Sequence, residues 1–166
     1  MTTAPAAYFK SARLITVLLS IGALVVFKVA NGQLTVREIV TPGLGTIIGG
    51  PSGRQFTLNT DGTVTGADAA DHLFGSVSGV VLLQKQQPPA PINIVAENVT
   101  TNGGLTVNAI PCAWHNQPQT TCDGPGINVT AVGRRRLQLG VDITTSQTHA
   151  GGDTASISFD ITVTFL

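Results

Sequence analysis

Apolar and polar side chains alternate without a break over residues 154–165. Ala155, Ile157, Phe159, Ile161, Val163 and Phe165 fall on one parity, and Thr154, Ser156, Ser158, Asp160, Thr162 and Thr164 on the other. A period of two marks a strand with one face on a core and one in water. Leu137, Leu139, Val141 and Ile143 repeat the pattern against Gln138, Gly140, Asp142 and Thr144. Gly151, Gly152 and Asp153 supply a turn between these segments, so they are expected to form a hairpin. A second hairpin is expected where residues 55–59 and 63–66 flank Asn59-Thr60-Asp61-Gly62, because Asp-Gly tolerates the positive φ of a tight turn.

Between these hairpins, strands are expected at residues 76–84, 92–99, 105–110 and 127–132. Each ends in punctuation: the proline-rich run 86–91, whose prolines lack a ladder donor, then Asn102-Gly103-Gly104 and Asp123-Gly124-Pro125-Gly126. The only helix candidate is residues 67–74, about two turns at most. Seven or more short strands at this spacing predict an all-β fold, a β-sandwich of the immunoglobulin-like kind, since an open sheet would leave one apolar face wet.

The N-terminus reads differently. Lys10 and Arg13 precede the uncharged run 14–27, and Ala30, Asn31 and Gly32 follow it, in the order of a secretory signal peptide. The run is shorter than the about 20 apolar residues of a membrane span, and Lys28 interrupts it. Cleavage is expected after Gly32, giving a leader of residues 1–32 and a sandwich domain of residues 33–166. An earlier cut near Ala23 and an uncleaved anchor are the alternatives. Loss of Lys10, Arg13 and Lys28 leaves six basic against nine acidic side chains, a formal charge of −3. Residues 33–166 hold nineteen Thr and thirteen Val but one Lys, two Glu and no Met, a composition that suits strands and starves helices.

Charge and chemistry narrow the function. The whole chain has formal net charge zero and no basic run longer than three, which excludes a nucleic-acid binder, and its apolar content excludes a disordered tail. Three His, two Cys and two Glu offer little material for catalysis, so no enzyme and no cofactor is expected. Cys112 and Cys122 in an exported chain are expected to form a disulfide closing the Pro-, Asn- and Gln-rich loop that holds Trp114. The alternative is a metal site from Cys112, His115, Cys122 and Asp123, which lacks the second close ligand pair of tetrahedral sites. The glycine-rich stretch 43–50 has the wrong spacing for a dinucleotide loop and reads as a strand. Residues 75–79 do not form a nucleophile elbow, and His72 and His149 have no companion acid at a suggestive spacing. Arg134, Arg135 and Arg136 would point to alternate faces of a strand, as at a solvated hairpin end. The triplets at Asn98 and Asn128 match the glycosylation sequon and are assigned no role.

Pro42-Gly43-Leu44-Gly45-Thr46-Ile47-Ile48, then Phe56-Thr57-Leu58, the Asp61-Gly62 turn and Thr63-Val64-Thr65-Gly66, resemble the opening of a bacterial secreted, pilin-like family catalogued as domain of unknown function four-four-zero-two. Leu137-Gln138-Leu139-Gly140-Val141, the Gly151-Gly152 turn and the strand 156–165 are similar to that family's closing hairpin. The resemblance covers both ends of residues 33–166. The middle, 83–133, matches only as generic strands, and the Cys112 to Cys122 loop looks like an insertion. The C-terminus is also similar to chaperone–usher pilus subunits, with Phe165 next to last and Gly151 and Gly152 about a dozen residues earlier.

What this likeness implies is a structural subunit of a surface pilus that polymerises by donor-strand exchange. Its partners would be neighbouring copies of itself, a periplasmic chaperone and an outer-membrane usher, with no nucleic acid. Ile157, Phe159, Ile161, Val163 and Phe165 would form one wall of an acceptor groove, and Leu34, Val36, Ile39 and Val40 the donor segment. Glu38 breaks the donor's alternation, and the same segment reads equally as the first strand of a closed sandwich. The functional alternative is a monomeric secreted adhesin or binding domain that presents the Cys112 to Cys122 loop around Trp114; a buried Trp114 would count against it.

Overall fold

The computed structural model of the chain describes residues 14–16 and 34–166. In chain order the strands are β1 (Leu14–Thr16), β2 (Leu34–Val40), β3 (Thr46–Ile48), β4 (Gln55–Leu58), β5 (Val64–Thr65), β6 (His72–Phe74) and β7 (Gly79–Asn102). They continue as β8 (Leu105–Ala109), β9 (Pro111–Trp114), β10 (Thr120–Thr121), β11 (Ile127–Leu139), β12 (Val141–Thr145) and β13 (Ser156–Phe165). No helix among the described residues is long and apolar enough to cross a membrane. The cleavage points weighed above, at Gly32 and near Ala23, lie outside the described residues. Of the expected leader only β1 is described, antiparallel to β3 with Leu14 opposite Ile48.

The larger sheet is built on β7. Along one edge of β7 lies β11, from Leu139 opposite Gly79 to Ile127 opposite Ile94, with β9 and β10 beyond it. Along the other edge β2 and β13 lie end to end: Leu34 to Val40 run opposite Lys85 to Val80, and Ser156 to Phe165 opposite Asn102 to Ile92. A second sheet has the order β5-β4-β12-β8, and a small third one β1-β3-β6. Phe56, Leu58, Val141 and Ile143 of the second sheet are buried in one continuous cluster with Val81, Leu83, Ile92, Ile94, Leu137 and Phe159 of the first. The arrangement is consistent with a β-sandwich, the inner parity of each strand facing a shared core.

Four sequence expectations are corrected here. Residues 137–143 are not one strand: β11 ends at Leu139 and β12 begins at Val141, in the other sheet, so the chain changes sheets at Gly140. A Cβ on Gly140 would collide with the Leu58 carbonyl, and the Gly140 N–H donates to Pro111 O at 2.8 Å. Only glycine fits a corner where backbones approach this closely. Nor does the last strand form a hairpin with residues 137–143; it pairs with β7, because alternation records which face is buried and not which neighbour is paired.

The proline run 86–91 does not end a strand either. Lys85 opposes Gly133 and Ala90 opposes Ala131, so four residues of β7 stand against the single Val132 of β11, and the exposed residues 86–89 bulge out of the sheet. The Gln87–Pro88 bond is cis. Prolines are tolerated in bulges because no ladder donor is needed there. Buried Lys85 donates from Nζ to Gln86 O and Pro88 O, closing the bulge from beneath. Finally, residues 67–74 hold a single 3₁₀ turn, Ala69–Asp71, followed by β6. Arg54 ties this turn down, donating to Asp71 Oδ2 and to Ile48 O at 2.6 Å, with Asp68 at 3.6 Å. The expected hairpin at 59–62 is present, with Leu58 opposite Val64 and Gly62 at φ 88°.

Candidate functional site

Two kinds of surface carry possible function, the open strand edges and a basic recess at the end of β9. The edges follow from β7. β13 pairs with β7 alone among the described strands, and so does β2. The expected groove residues Ile157, Phe159, Ile161 and Val163 are all 1% exposed or less, and Phe165 is half-buried against the core. They line a filled core rather than an open groove; what β13 leaves open is a backbone edge. The ladder joining β13 to β7 has a bulge between Ser158 and Asp160, where Asn98 of β7 takes φ 54° and donates to Asp160 Oδ2 at 2.7 Å.

The expected donor residues lie on β2, paired within the same chain. Leu34 opposes Lys85, Val36 opposes Leu83, Ile39 opposes Val81 and Val40 opposes Val80. Leu34 is buried and Val36 packs on the core, whereas Ile39 is 43% exposed. Donor and groove residues therefore share a neighbour, β7, and are not paired with each other.

Cys112 and Cys122 form a disulfide, with Cα atoms 5.7 Å apart. It joins neighbouring β9 and β10, and both cysteines are buried. With both sulfurs bonded to each other, the alternative of a metal held by these cysteines, His115 and Asp123 loses its thiolates; Asp123 instead accepts the Ile110 N–H. Trp114, which the adhesin alternative would present in an exposed loop, is 3% exposed and opposes Leu137. It is core, because Leu137 and Trp114 share the inward parity of β11 and β9.

The recess starts where β9 stops. His115 adopts φ 52°, Gln117 N–H closes the turn on Trp114 O at 2.9 Å, and His115 N–H makes the last bond to β11, at Arg136 O. β11 continues past this turn, and its alternation sends Arg134 and Arg136 to one side and Arg135 to the other. Arg134 and Arg136 line a cavity of about 410 Å³ with Leu82, His115, Asn116 and Gln138. Arg135 lines a second one, of about 340 Å³, beside Trp114, Thr130 and Val132, with Nη1 3.2 Å from His115 Nε2. The three arginines therefore sit in the middle of a long strand and not at a hairpin end, which corrects their sequence reading. A run of three arginines in a chain with so few cations was the signal available for this recess.

Elsewhere Asp61 caps the 59–62 turn. The Thr63 hydroxyl donates to its Oδ1 at 2.6 Å and the Thr63 N–H at 2.9 Å, which holds the Asp61 carboxyl below its ordinary range. No cluster of three His, Cys, Asp or Glu side chains suited to a metal occurs among the described residues.

Comparison with protein-family models, curated proteins and solved structures finds no match to this chain.

Proposed function

We propose that the chain is a structural subunit of a bacterial surface pilus or fimbria, an immunoglobulin-like (pilin-like) sandwich exported behind the leader 1–32 and polymerised by donor-strand exchange. The observation that carries the reading is the placement of β2, a strand near the N-terminus held to one edge of β7 in line with β13. The same strand from a neighbouring copy would make the same register and bury the same Leu34, so exchange between copies costs no contact.

Magnitudes select β2 as the strand that exchanges. β13 buries four large apolar side chains completely, about 6–12 kcal/mol at about 1.5–3 kcal/mol each, comparable to the whole stability of a domain. β2 buries Leu34 and part of Val36, no more than about half of that. The acceptor in this reading is therefore the β7 edge at residues 80–85, with the β13 face as a wall of the core beside it. A strand from a periplasmic chaperone would keep that edge covered before assembly at an outer-membrane usher, both of them partners that the family resemblance implies. The alternative of a monomeric adhesin built around Trp114 loses its exposed aromatic, since that side chain is buried.

Paired cysteines at Thr35 and Gln84, which are directly opposed, test the reading. In surface-assembled material the T35C/Q84C chain should run as a covalent ladder on a non-reducing gel. Chains bridged only internally, running as monomers, would overturn strand exchange.

A further inference from the structure

Cations are few in this fold and are not spread over it. Arg54 and Lys85 are buried and spent on internal partners. The remaining ones after residue 33, Arg37, Arg134, Arg135 and Arg136, lie together on the larger sheet: Arg37 Nε donates to Gln84 Oε1 at 2.9 Å, and Gln84 is the cross-strand partner of Arg134. A domain whose formal charge is −3 thus places Arg37, Arg134 and Arg136 on one side of this sheet, with Arg135 on the other, which focuses a field attractive to anions.

The cavity beside Arg134 and Arg136 gives that field a shape. The two arginines stand two residues apart on one side of a strand, so their Cα atoms are about 7 Å apart. Each guanidinium presents a planar fork of donors that matches a carboxylate bidentately, and neither has any acceptor capacity. Asn116 and Gln138 add amides at the wall and Leu82 an apolar floor, in a volume of about 410 Å³, within the range of small-molecule sites. No carboxylate among the described side chains forms an ion pair with Arg134 or Arg136.

We infer that this cavity is a binding site for a small organic ligand with two carboxylates, one held by Arg134 and the other by Arg136, its carbon skeleton resting on Leu82. Two planar forks suit two carboxylates, and the apolar Leu82 suits the carbon skeleton joining them, which inorganic phosphate lacks. Arg135 faces the other side of the strand and lines the second cavity.

Citrate is the probe, titrated into the full chain at low ionic strength by calorimetry and by amide NMR, with acetate and inorganic phosphate as separate arms. Citrate should bind about tenfold or more tighter than either, and should shift resonances of Arg134, Arg136 and Asn116. R134Q and R136Q should each weaken it about tenfold, and R135Q by less than about twofold. The affinity should fall as salt is added. Absence of citrate binding, equal binding of phosphate or acetate, or citrate binding unaffected by R134Q and R136Q would each overturn the site. The NMR shifts of the unsubstituted chain decide the matter even if a variant misfolds.

Discussion

Lys85 Nζ donates to the Pro88 carbonyl oxygen at 3.1 Å and to that of Gln86 at 2.8 Å, from a residue only 6% exposed. The bulge at 86–89 turns carbonyls away from the sheet ladder, and a buried ammonium is their partner. Since an unmet buried polar group costs about 1–3 kcal/mol, K85M, which keeps the apolar stem, is expected to lower stability in urea by that amount. An unchanged midpoint would show that the ammonium does not hold the bulge.

Gly140 is the corner between the two sheets, and a single methyl there meets the Leu58 backbone, which has no flexible end to yield. G140A is expected to lose at least about 2 kcal/mol, or to fail to fold, in a thermal melt. G53A is the matched control, because nothing lies within 4 Å of a Cβ at Gly53, although its positive φ adds up to about 1 kcal/mol of its own.

The disulfide spans a sequence separation of 10, for which chain entropy gives a stabilisation of about 3 kcal/mol. C112S/C122S should lose about that much, and reductant should destabilise the parent chain while leaving the variant's melting temperature untouched. Trp114 fluorescence should shift to the red only with global unfolding, because the ring is part of the core.

Arg54 joins three segments through Ile48 O, Asp68 and Asp71, and its guanidinium carbon lies 5.4 Å from the centre of the Phe56 ring. Both acids are partly exposed, which limits the ionic share, so R54M is expected to cost about 1–3 kcal/mol and not the larger penalty of breaking a fully buried pair. Hydrogen exchange should quicken first at residues 68–74 in that variant.

Asp61 has its carboxyl pKa lowered, first by the Thr63 hydroxyl and then by the Thr63 N–H. A depressed folded-state pKa stabilises the fold above the unfolded value, and this contribution is lost as pH falls through the folded one. NMR titration should place Asp61 below an ordinary aspartate, and T63V should move it part of the way back, since the N–H bond survives.

Much of this architecture was legible from alternation. The inward residues of β13, Ile157, Phe159, Ile161 and Val163, are buried as their parity requires, and Asp61-Gly62 marks a turn that exists. The two cysteines had one possible internal partner each. Pairing was not legible. Backbone hydrogen bonds carry no side-chain label, so β13 could not announce β7 as its neighbour. The change of sheets at Gly140 was hidden for a related reason: Leu139 and Val141 both face one core from two sheets, and an unbroken alternation runs straight through the corner.

Composition misled where long-range contacts overrode it. A Pro-, Asn- and Gln-rich loop suggested exposure, yet the disulfide and the pairing of β9 with β11 draw Trp114 inside. Prolines suggested a strand end, yet a bulge capped by Lys85 lets the strand continue. One-dimensional pattern settles which side of each strand avoids water, because that depends on each side chain's own hydrophobicity. Which strands are neighbours, where the chain turns its corner and which arginines share a cavity depend on groups far apart in the chain, and folding alone brings these together.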